Sequence, residues 1–215
     1  MKDIVVVGAG GFGREVMWLI ERINDVTNKW NILGFIDDGI EKNTLVNNYK
    51  VLGGIDSLKD YSNKLNIVIA IGSSKTRNKI YNRINSINNF VYPNIIDPTV
   101  IKSNSVKLGQ GNIICASSIL TVNIELSNFN IINLDCTIGH DVVINNFVTL
   151  YPSVNVSGHV LLNDLVELGT GTQIIQGHIV NPNIIVGAGS VIVRDLDIEN
   201  ATYVGVPAKL LHEND

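Results

Sequence analysis

A histidine followed by an aspartate is the pair of residues in this chain best suited to proton transfer. They stand in the segment Ile138-Gly139-His140-Asp141. An imidazole that is neutral near pH 7 can accept a proton from an amine or a hydroxyl while that group attacks an acyl carbonyl. His140 is therefore a candidate general base. The alternative at this point is a surface histidine that makes a turn hydrogen bond.

A glycine-rich segment near the N-terminus could hold phosphate groups. Gly8-Ala9-Gly10-Gly11-Phe12-Gly13 has G-x-G-x-x-G spacing after the apolar run 4–7, and a helical pattern begins there. Backbone N–H groups and the helix dipole favour phosphate in that setting. Asp37 and Asp38 follow the apolar run 32–36, where an acidic side chain could bind a ribose or a base. The alternatives are a tight turn with a solvated acidic loop, or a dinucleotide site. The dinucleotide is disfavoured because roughly ninety residues hold only one mononucleotide-binding half.

The elements that must position this segment alternate between strand and helix. Apolar runs at 4–7, 32–36 and 67–71 are typical of buried parallel strands. Helical spacing predicts one helix from about Gly11 and another over 75–87. The pattern changes at Val91-Tyr92-Pro93, and Pro98 follows shortly. Residues 1–94 are therefore predicted to form an α/β domain with a short parallel sheet.

His140 lies in a second region, where an aliphatic residue recurs at every sixth position without exception. The series is Leu108, Ile114, Leu120, Leu126, Ile132, Ile138, Ile144, Leu150, Val156, Leu162, Leu168, Ile174, Val180, Val186 and Ile192. A second inward position comes four residues after each of them and is mostly small or β-branched. A period of six fits neither an α-helix nor a flat strand, but it fits a triangular parallel β-helix with eighteen residues per coil.

This pattern predicts five coils over residues 108–197 and a second domain over 95–215 that includes a C-terminal tail. Ile101 stands seven residues before Leu108, so a phase slip is expected there. A less regular coil is expected to begin near Ile95. The third hexapeptide position of His140 predicts an outward side chain.

The two halves together resemble the hexapeptide-repeat sugar acyltransferases over nearly the whole chain. The resemblance is to the N-acetyltransferases of nucleotide-linked 4-amino sugars, of the bacillosamine and perosamine type, and to the sialic acid O-acetyltransferases. It implies that the β-helix is left-handed, that acetyl-CoA or another acyl-CoA is the co-substrate, and that three chains form a homotrimer with CoA between neighbouring subunits.

The resemblance also implies roles for individual residues. His140 would be the catalytic base, and Asp141 would orient its ring. The nucleotide sugar would be bound by Gly10, Gly11, Phe12, Asp37, Asp38 and Gly72. CoA would contact Thr149, Thr170 and Ala188, although the glycine-rich stretches around the last two could be turn chemistry alone. Phe12 stands where several relatives carry histidine. Arg77 matches the same family, but a surface helix charge is the commoner interpretation.

No metal site is expected. His140, His159 and His178 follow one another at intervals of nineteen residues. Because the coil repeats every eighteen, their side chains are predicted to drift from outward to inward and not to converge on one ion. Cys136 occupies an inward position, which favours a small core residue over a thiol nucleophile.

Composition excludes several classes of function. The formal net charge is −4 and the chain has no long run of Lys or Arg, so nucleic acid is not an expected partner. No apolar stretch approaches the roughly 20 residues needed to span a bilayer, and no signal sequence is visible, so a cytoplasmic location is expected.

The resemblance thus implies an acyl-CoA-dependent acetyltransferase that acts, by direct transfer, on the amino group of a UDP- or dTDP-linked 4-amino-6-deoxy sugar in surface glycan biosynthesis. The alternatives are a sialic acid O-acetyltransferase, an NAD-dependent enzyme and a non-catalytic β-helix binding module.

Overall fold

A computed structural model describes residues 1–62 and 64–213 of the chain. The chain divides into two compact units, residues 1–98 and 99–215. Each unit has its own fold.

The first unit is a small α/β fold. Its elements are β1 (Lys2–Val7), α1 (Gly11–Thr27), β2 (Trp30–Ile36), β3 (Leu45–Val46), β4 (Tyr49–Lys50), a 3-10 helix (Ile55–Asp60), β5 (Asn66–Ile69), α2 (Ser74–Asn85) and β6 (Ile95–Ile96). The strand order β2-β1-β5 is parallel, which confirms the predicted short sheet. The β3-β4 hairpin and the 3-10 helix were not predicted, because such short elements carry no periodic pattern.

The second unit is a parallel β-solenoid of two-residue strands. These are β7 (Ile101–Lys102), β8 (Lys107–Leu108), β9 (Ile113–Ile114), β10 (Ile119–Leu120), β11 (Glu125–Leu126), β12 (Ile131–Ile132), β13 (Thr137–Ile138), β14 (Val143–Ile144), β15 (Thr149–Leu150), β16 (Asn155–Val156), β17 (Leu161–Leu162), β18 (Glu167–Leu168), β19 (Gln173–Ile174), β20 (Ile179–Val180), β21 (Ile185–Val186) and β22 (Val191–Ile192).

The strands pair with the coil before and the coil after, and so form three faces. Their orders are β7-β10-β13-β16-β19-β22, β8-β11-β14-β17-β20 and β9-β12-β15-β18-β21. Paired residues are eighteen apart, as Leu120 and Ile138 are. The predicted parallel β-helix is confirmed. At its end, β23 (Ala201–Val204) pairs parallel with β21, and β24 (Lys209–Glu213) pairs antiparallel with β23.

The solenoid core is built from the two inward positions that the sequence predicts. From Ile114 to Ile192 every residue of the six-residue series is buried. The position four residues later is also buried from Asn112 to Ser190, except at His178. Apolar burial at these positions is the main favourable term that holds the coils together.

A left-handed backbone conformation recurs at the fourth hexapeptide position, where each corner turns. The residues there, with φ between 56° and 82°, are Gly111, Ser117, Asn123, Phe129, Asp135, Asp141, Phe147, Ser153, His159, Leu165, Gly171, Gly177, Asn183 and Gly189. Gly, Asn and Asp tolerate this conformation best. Phe129 and Phe147 adopt it too, and their rings stack at 5.2 Å one coil apart.

The expected phase slip near Ile101 is wrong. In β7, Lys102 is the residue in register with Leu120, and Ile101 is 65% exposed. The backbone therefore keeps the six-residue register back to β7, and only the side-chain pattern fails there. Within residues 1–62 and 64–213, the structure contains no helix with the length and hydropathy needed to cross a membrane.

Candidate active site

The corner between β13 and β14 carries the histidine–aspartate pair. Nδ1 of His140 lies 2.8 Å from Oδ2 of Asp141. The His140 side chain is 47% exposed, so it points away from the solenoid core as predicted. Asp141 has φ 59°, and this left-handed turn is what folds its carboxylate back toward the neighbouring ring.

Two glycines make room for the His140 ring. A Cβ placed on Gly158 would lie 2.5 Å from both Cε1 and Nε2 of His140. A Cβ on Gly139 would lie 2.7 Å from the backbone nitrogen of Gly158. Gly158 follows His140 by eighteen residues, which places it one coil later at the same corner. This glycine is a positional signal that sequence reasoning missed, and the coil period could have found it.

The charge of Asp141 sets the tautomer of His140. The hydrogen bond from His140 lowers the pKa of Asp141 below its ordinary value, and the hydrogen bond from Asn123 Nδ2, at 3.2 Å, lowers it further. An ionised carboxylate can only accept hydrogen bonds. In the neutral ring Nδ1 therefore carries the proton, and Nε2 keeps the lone pair that a general base needs.

The expectation that the histidines diverge is wrong for His159. Its side chain is 57% exposed, its ring packs edge-to-face on that of His140 at 5.0 Å, and its Nε2 lies 3.6 Å from Oδ2 of Asp141. Both Asp141 and His159 occupy fourth hexapeptide positions, which places them one coil apart at the same corner. The ligand atoms of His140, Asp141 and His159 lie within 4.8 Å of one another, so these three residues could hold a metal ion.

His178 takes a different partner. Its Nδ1 lies 2.9 Å from Oδ1 of Asp195, which also accepts a hydrogen bond from the backbone N–H of Ile179 at 3.0 Å. The His178 side chain is 22% exposed and so is not fully inward, although its position in the repeat predicts that it should be. This pair ties the segment after β22 back to the preceding coil.

The glycine-rich turn of the first unit is shaped for close packing on one side and is open on the other. A Cβ on Gly13 would lie 1.9 Å from the carbonyl oxygen of Gly8, so α1 packs directly on the end of β1. A Cβ on Gly10 or Gly11 would meet nothing within 4 Å. The start of α1 has no side-chain cap, and Phe12 beside it is half-buried. The exposed Gly10 and Gly11 therefore leave this helix start accessible to a ligand.

The two acidic residues after β2 already have partners within the first unit. Asp37 accepts hydrogen bonds from the N–H groups of Ala9 and Gly39, both at 2.8 Å. Asp38 accepts one from the N–H of Ile55 at 2.8 Å, and it forms an ion pair with Arg83 at 2.5 Å. Asp37 thus holds the glycine-rich turn in place.

A cavity of about 180 Å³ opens at this edge of the sheet, where the carboxyl ends of the parallel strands meet. It is lined by Val7, Gly8, Ile36, Asp37, Asp38, Gly39, Ile55, Ile71 and Ile80. Ligands of open α/β sheets bind at this edge.

Arg77 is a buried structural residue and not the surface charge that is commoner on helices. It is 1% exposed, and its guanidinium donates to the carbonyl oxygens of Ile71 at 2.6 Å and Gly72 at 2.8 Å. It therefore fixes the loop after β5, in which the predicted site residue Gly72 stands.

The predicted CoA contacts fall into two groups. Thr170 and Ala188 are exposed and occupy one corner, between β18 and β19 and between β21 and β22. Thr149 lies in β15 and is 1% exposed. Within one chain, the corner of Thr170 and Ala188 is not the corner of His140, because the two lie at different junctions of the three faces.

Cys136 is a core residue, as its position predicted. Burial raises the pKa of its thiol to about 12, so the reactive thiolate is disfavoured. Its Sγ lies 3.3 Å from the carbonyl oxygen of Tyr151.

A family model matches most of the first unit. Residues 3–84 match the family model described as the PglD N-terminal domain. No curated protein sequence matches the chain significantly.

Among solved structures, the chain is similar over its whole length to sugar acetyltransferases. It is 30% identical to WeeI from Acinetobacter baumannii AYE, with a TM-score of 0.88 over 98% of this chain and 100% of that one. It is 28% identical to the acetyltransferase domain of PglB from Neisseria gonorrhoeae FA1090 in complex with acetyl coenzyme A, with a TM-score of 0.88 over 98% and 99% of the two chains.

A third structure is a histidine-to-asparagine mutant of perosamine N-acetyltransferase from Caulobacter crescentus, in complex with CoA and GDP-perosamine. It is 25% identical to this chain, with a TM-score of 0.89 over 99% of this chain and 98% of that one.

Proposed function

The chain belongs to the PglD-like family of hexapeptide-repeat sugar acetyltransferases, which use acetyl-CoA, and we propose that it acetylates the amino group of a nucleotide-linked 4-amino-6-deoxy sugar. The observation that carries the proposal is the 2.8 Å hydrogen bond between His140 and Asp141 at a half-exposed corner. The relative that binds GDP-perosamine supports a nucleotide amino sugar as the substrate class.

His140 acts as the general base in a direct transfer. The amine attacks the thioester carbonyl, a C–N bond forms and the C–S bond breaks. Nε2 of His140 takes the proton that the amine loses and passes it to the departing CoA sulfur. Asp141 holds Nδ1–H and stabilises the imidazolium between these two steps. The atoms balance without a covalent acyl-enzyme.

The first unit binds the nucleotide. Gly10 and Gly11 at the open start of α1 approach the diphosphate through their N–H groups. The cavity beside Asp37 and Asp38 takes the nucleoside. Gly72 directly follows Ile71, which lines this cavity, in the loop that Arg77 fixes. Phe12 would give an apolar contact in place of the histidine that several relatives carry.

The working form is a homotrimer in the cytoplasm, with CoA held between neighbouring subunits along the corner of Thr170 and Ala188. A contact of CoA with Thr149, which is 1% exposed within one chain, stays a prediction. Two observations support shared sites. Within one chain Thr170 and Ala188 lie at a different corner from His140. The solenoid also exposes large apolar side chains on its outer faces, such as Ile119, Ile175 and Ile179. Light scattering of the active enzyme should give the mass of three chains, and an active monomer would contradict the shared site.

The test of the substrate is thiol release from acetyl-CoA with a panel of UDP-, dTDP- and GDP-linked 4-amino-6-deoxy sugars. The matched control for each is the same sugar nucleotide with a 4-hydroxyl group, and free sialic acid represents the O-acetyltransferase alternative. We expect release with an amino sugar and none with its hydroxyl analogue. Release with sialic acid alone would replace N-acetylation by O-acetylation.

A further inference from the structure

The corner that holds His140 and Asp141 contains a second imidazole, that of His159. The two coils touch there through the backbone, since the N–H of His159 donates to the carbonyl oxygen of His140 at 2.9 Å. The ring centroids of His140 and His159 lie 5.0 Å apart, and the interplanar angle is 84°. Nε2 of His159 lies 3.6 Å from the same carboxylate oxygen, Oδ2, that binds His140.

We infer that His159 is a positioning residue for His140, acting by packing the edge of its ring against that of His140. The inference rests on the proposed function, because it assumes that His140 is the base. His159 acts through the neighbouring ring, and nothing in this role requires contact with the substrate.

The ring contact restricts where His140 can point. His140 is half exposed, and Gly158 on one side leaves space instead of a side chain. An exposed ring with few neighbours samples several rotamers. A base that occupies the wrong rotamer is not aligned with the group whose proton it must take, so the reaction slows. The edge of His159 fills one of the open sides. Its removal should therefore lower kcat more than it raises the KM for the sugar.

Of the two rings, only that of His140 is hydrogen-bonded to Asp141. Nδ1 of His140 lies 2.8 Å from Oδ2 of Asp141, whereas Nε2 of His159 lies 3.6 Å from the same oxygen, beyond hydrogen-bond distance. The contact that His159 makes with His140 is therefore the packing of one ring against the other.

The alternative explanation for a histidine at position 159 is its backbone conformation. It has φ 57°, and histidine is among the residues enriched in that left-handed conformation. The chain itself offers variants that keep this conformation, because Asn123 adopts it one coil before Asp141 and Phe147 adopts it at another corner. His159→Asn removes the ring, whereas His159→Phe keeps an aromatic ring at the same place.

The experiment measures kcat and the KM for the sugar in wild type, His159→Asn and His159→Phe, together with the unfolding temperature of each. We expect His159→Asn to lower kcat several-fold with little change in KM, because the His140 ring loses the neighbour that restricts it. His159→Phe should restore most of the lost kcat, because it keeps an aromatic ring at this place. The control His178→Asn should leave kcat unchanged.

The outcomes separate this inference from the proposed function. If His140→Gln destroys activity while both His159 variants keep the wild-type kcat, only the positioning role is overturned. If His140→Gln remains active, the base itself is misassigned and the inference falls with it. A lower unfolding temperature in His159→Asn with an unchanged kcat would leave a structural role alone, which also overturns the inference.

Discussion

Two histidine–aspartate hydrogen bonds within the described part of the solenoid are nearly equal in length, and they have different roles. His140 and Asp141 meet at 2.8 Å, and His178 and Asp195 at 2.9 Å. The first ring is 47% exposed and the second 22%. Asp195 also binds the backbone N–H of Ile179, so it joins two chain segments.

The difference shows that a histidine–aspartate bond alone does not identify a base. What distinguishes His140 is the space around its ring. Gly158 has no Cβ, and a Cβ at this position would lie 2.5 Å from Nε2 of His140. His178 is tied to the loop that follows β22, where it stabilises the last coil. Identical substitutions in the two pairs therefore test whether only the first pair contains the base.

The largest contrast is expected from replacing each histidine by glutamine. His140→Gln should lower kcat by about 10²-fold or more, because the proton acceptor is lost. His178→Gln should leave kcat within about twofold and lower the unfolding temperature by about 2 °C, as expected for one hydrogen bond in a chain of this size. Thiol release under saturating acetyl-CoA and thermal unfolding by circular dichroism measure the two effects. Equal losses of kcat would erase the distinction between the pairs.

A smaller effect should follow from filling the space above the catalytic ring. Gly158→Ala places a Cβ 2.5 Å from Nε2 of His140, so the ring must turn away from its present position. We expect kcat to fall by about 10-fold with little change in the KM for acetyl-CoA, because only the base is displaced. Steady-state kinetics, with circular dichroism to confirm the fold, provide the measurement. A variant with normal kcat would show that the observed ring position is not the one used in catalysis.

The smallest effect is a loss of folding stability at low pH, to which the aspartates of both pairs contribute. The hydrogen bond from His140 lowers the pKa of Asp141, and the N–H of Ile179 followed by His178 lowers the pKa of Asp195. A carboxyl whose pKa is lower in the folded state stabilises the fold above its unfolded pKa, and this stability is lost as pH falls through the folded value.

Urea midpoints should therefore decrease for the wild type between about pH 5 and pH 3, and decrease less for Asp195→Asn. Asp141→Asn should reduce the decrease in the same way. If the slope of Asp195→Asn equals that of the wild type, the His178–Asp195 pair contributes nothing to acid stability.

Much of the architecture followed from periodicity alone. The six-residue series fixed the solenoid because a buried position that recurs every six residues has only one simple geometry. The α/β unit followed from apolar runs separated by helical spacing. Where the side-chain pattern weakened, at Ile101 and Lys102, the prediction failed, because backbone pairing continued the register without it.

The repeat, the outward direction of His140 and the glycine turn that begins α1 all follow from residue types and their spacing. Which polar groups meet depends on how the chain folds. Asp37 and Asp38 bind backbone N–H groups, and Arg77 is buried, because partners distant in the chain come together there. The His159 ring contacts that of His140 because the left-handed backbone conformation at the fourth hexapeptide position directs its side chain there. The six-residue period gives the position of a residue in the coil, but it does not give this backbone conformation.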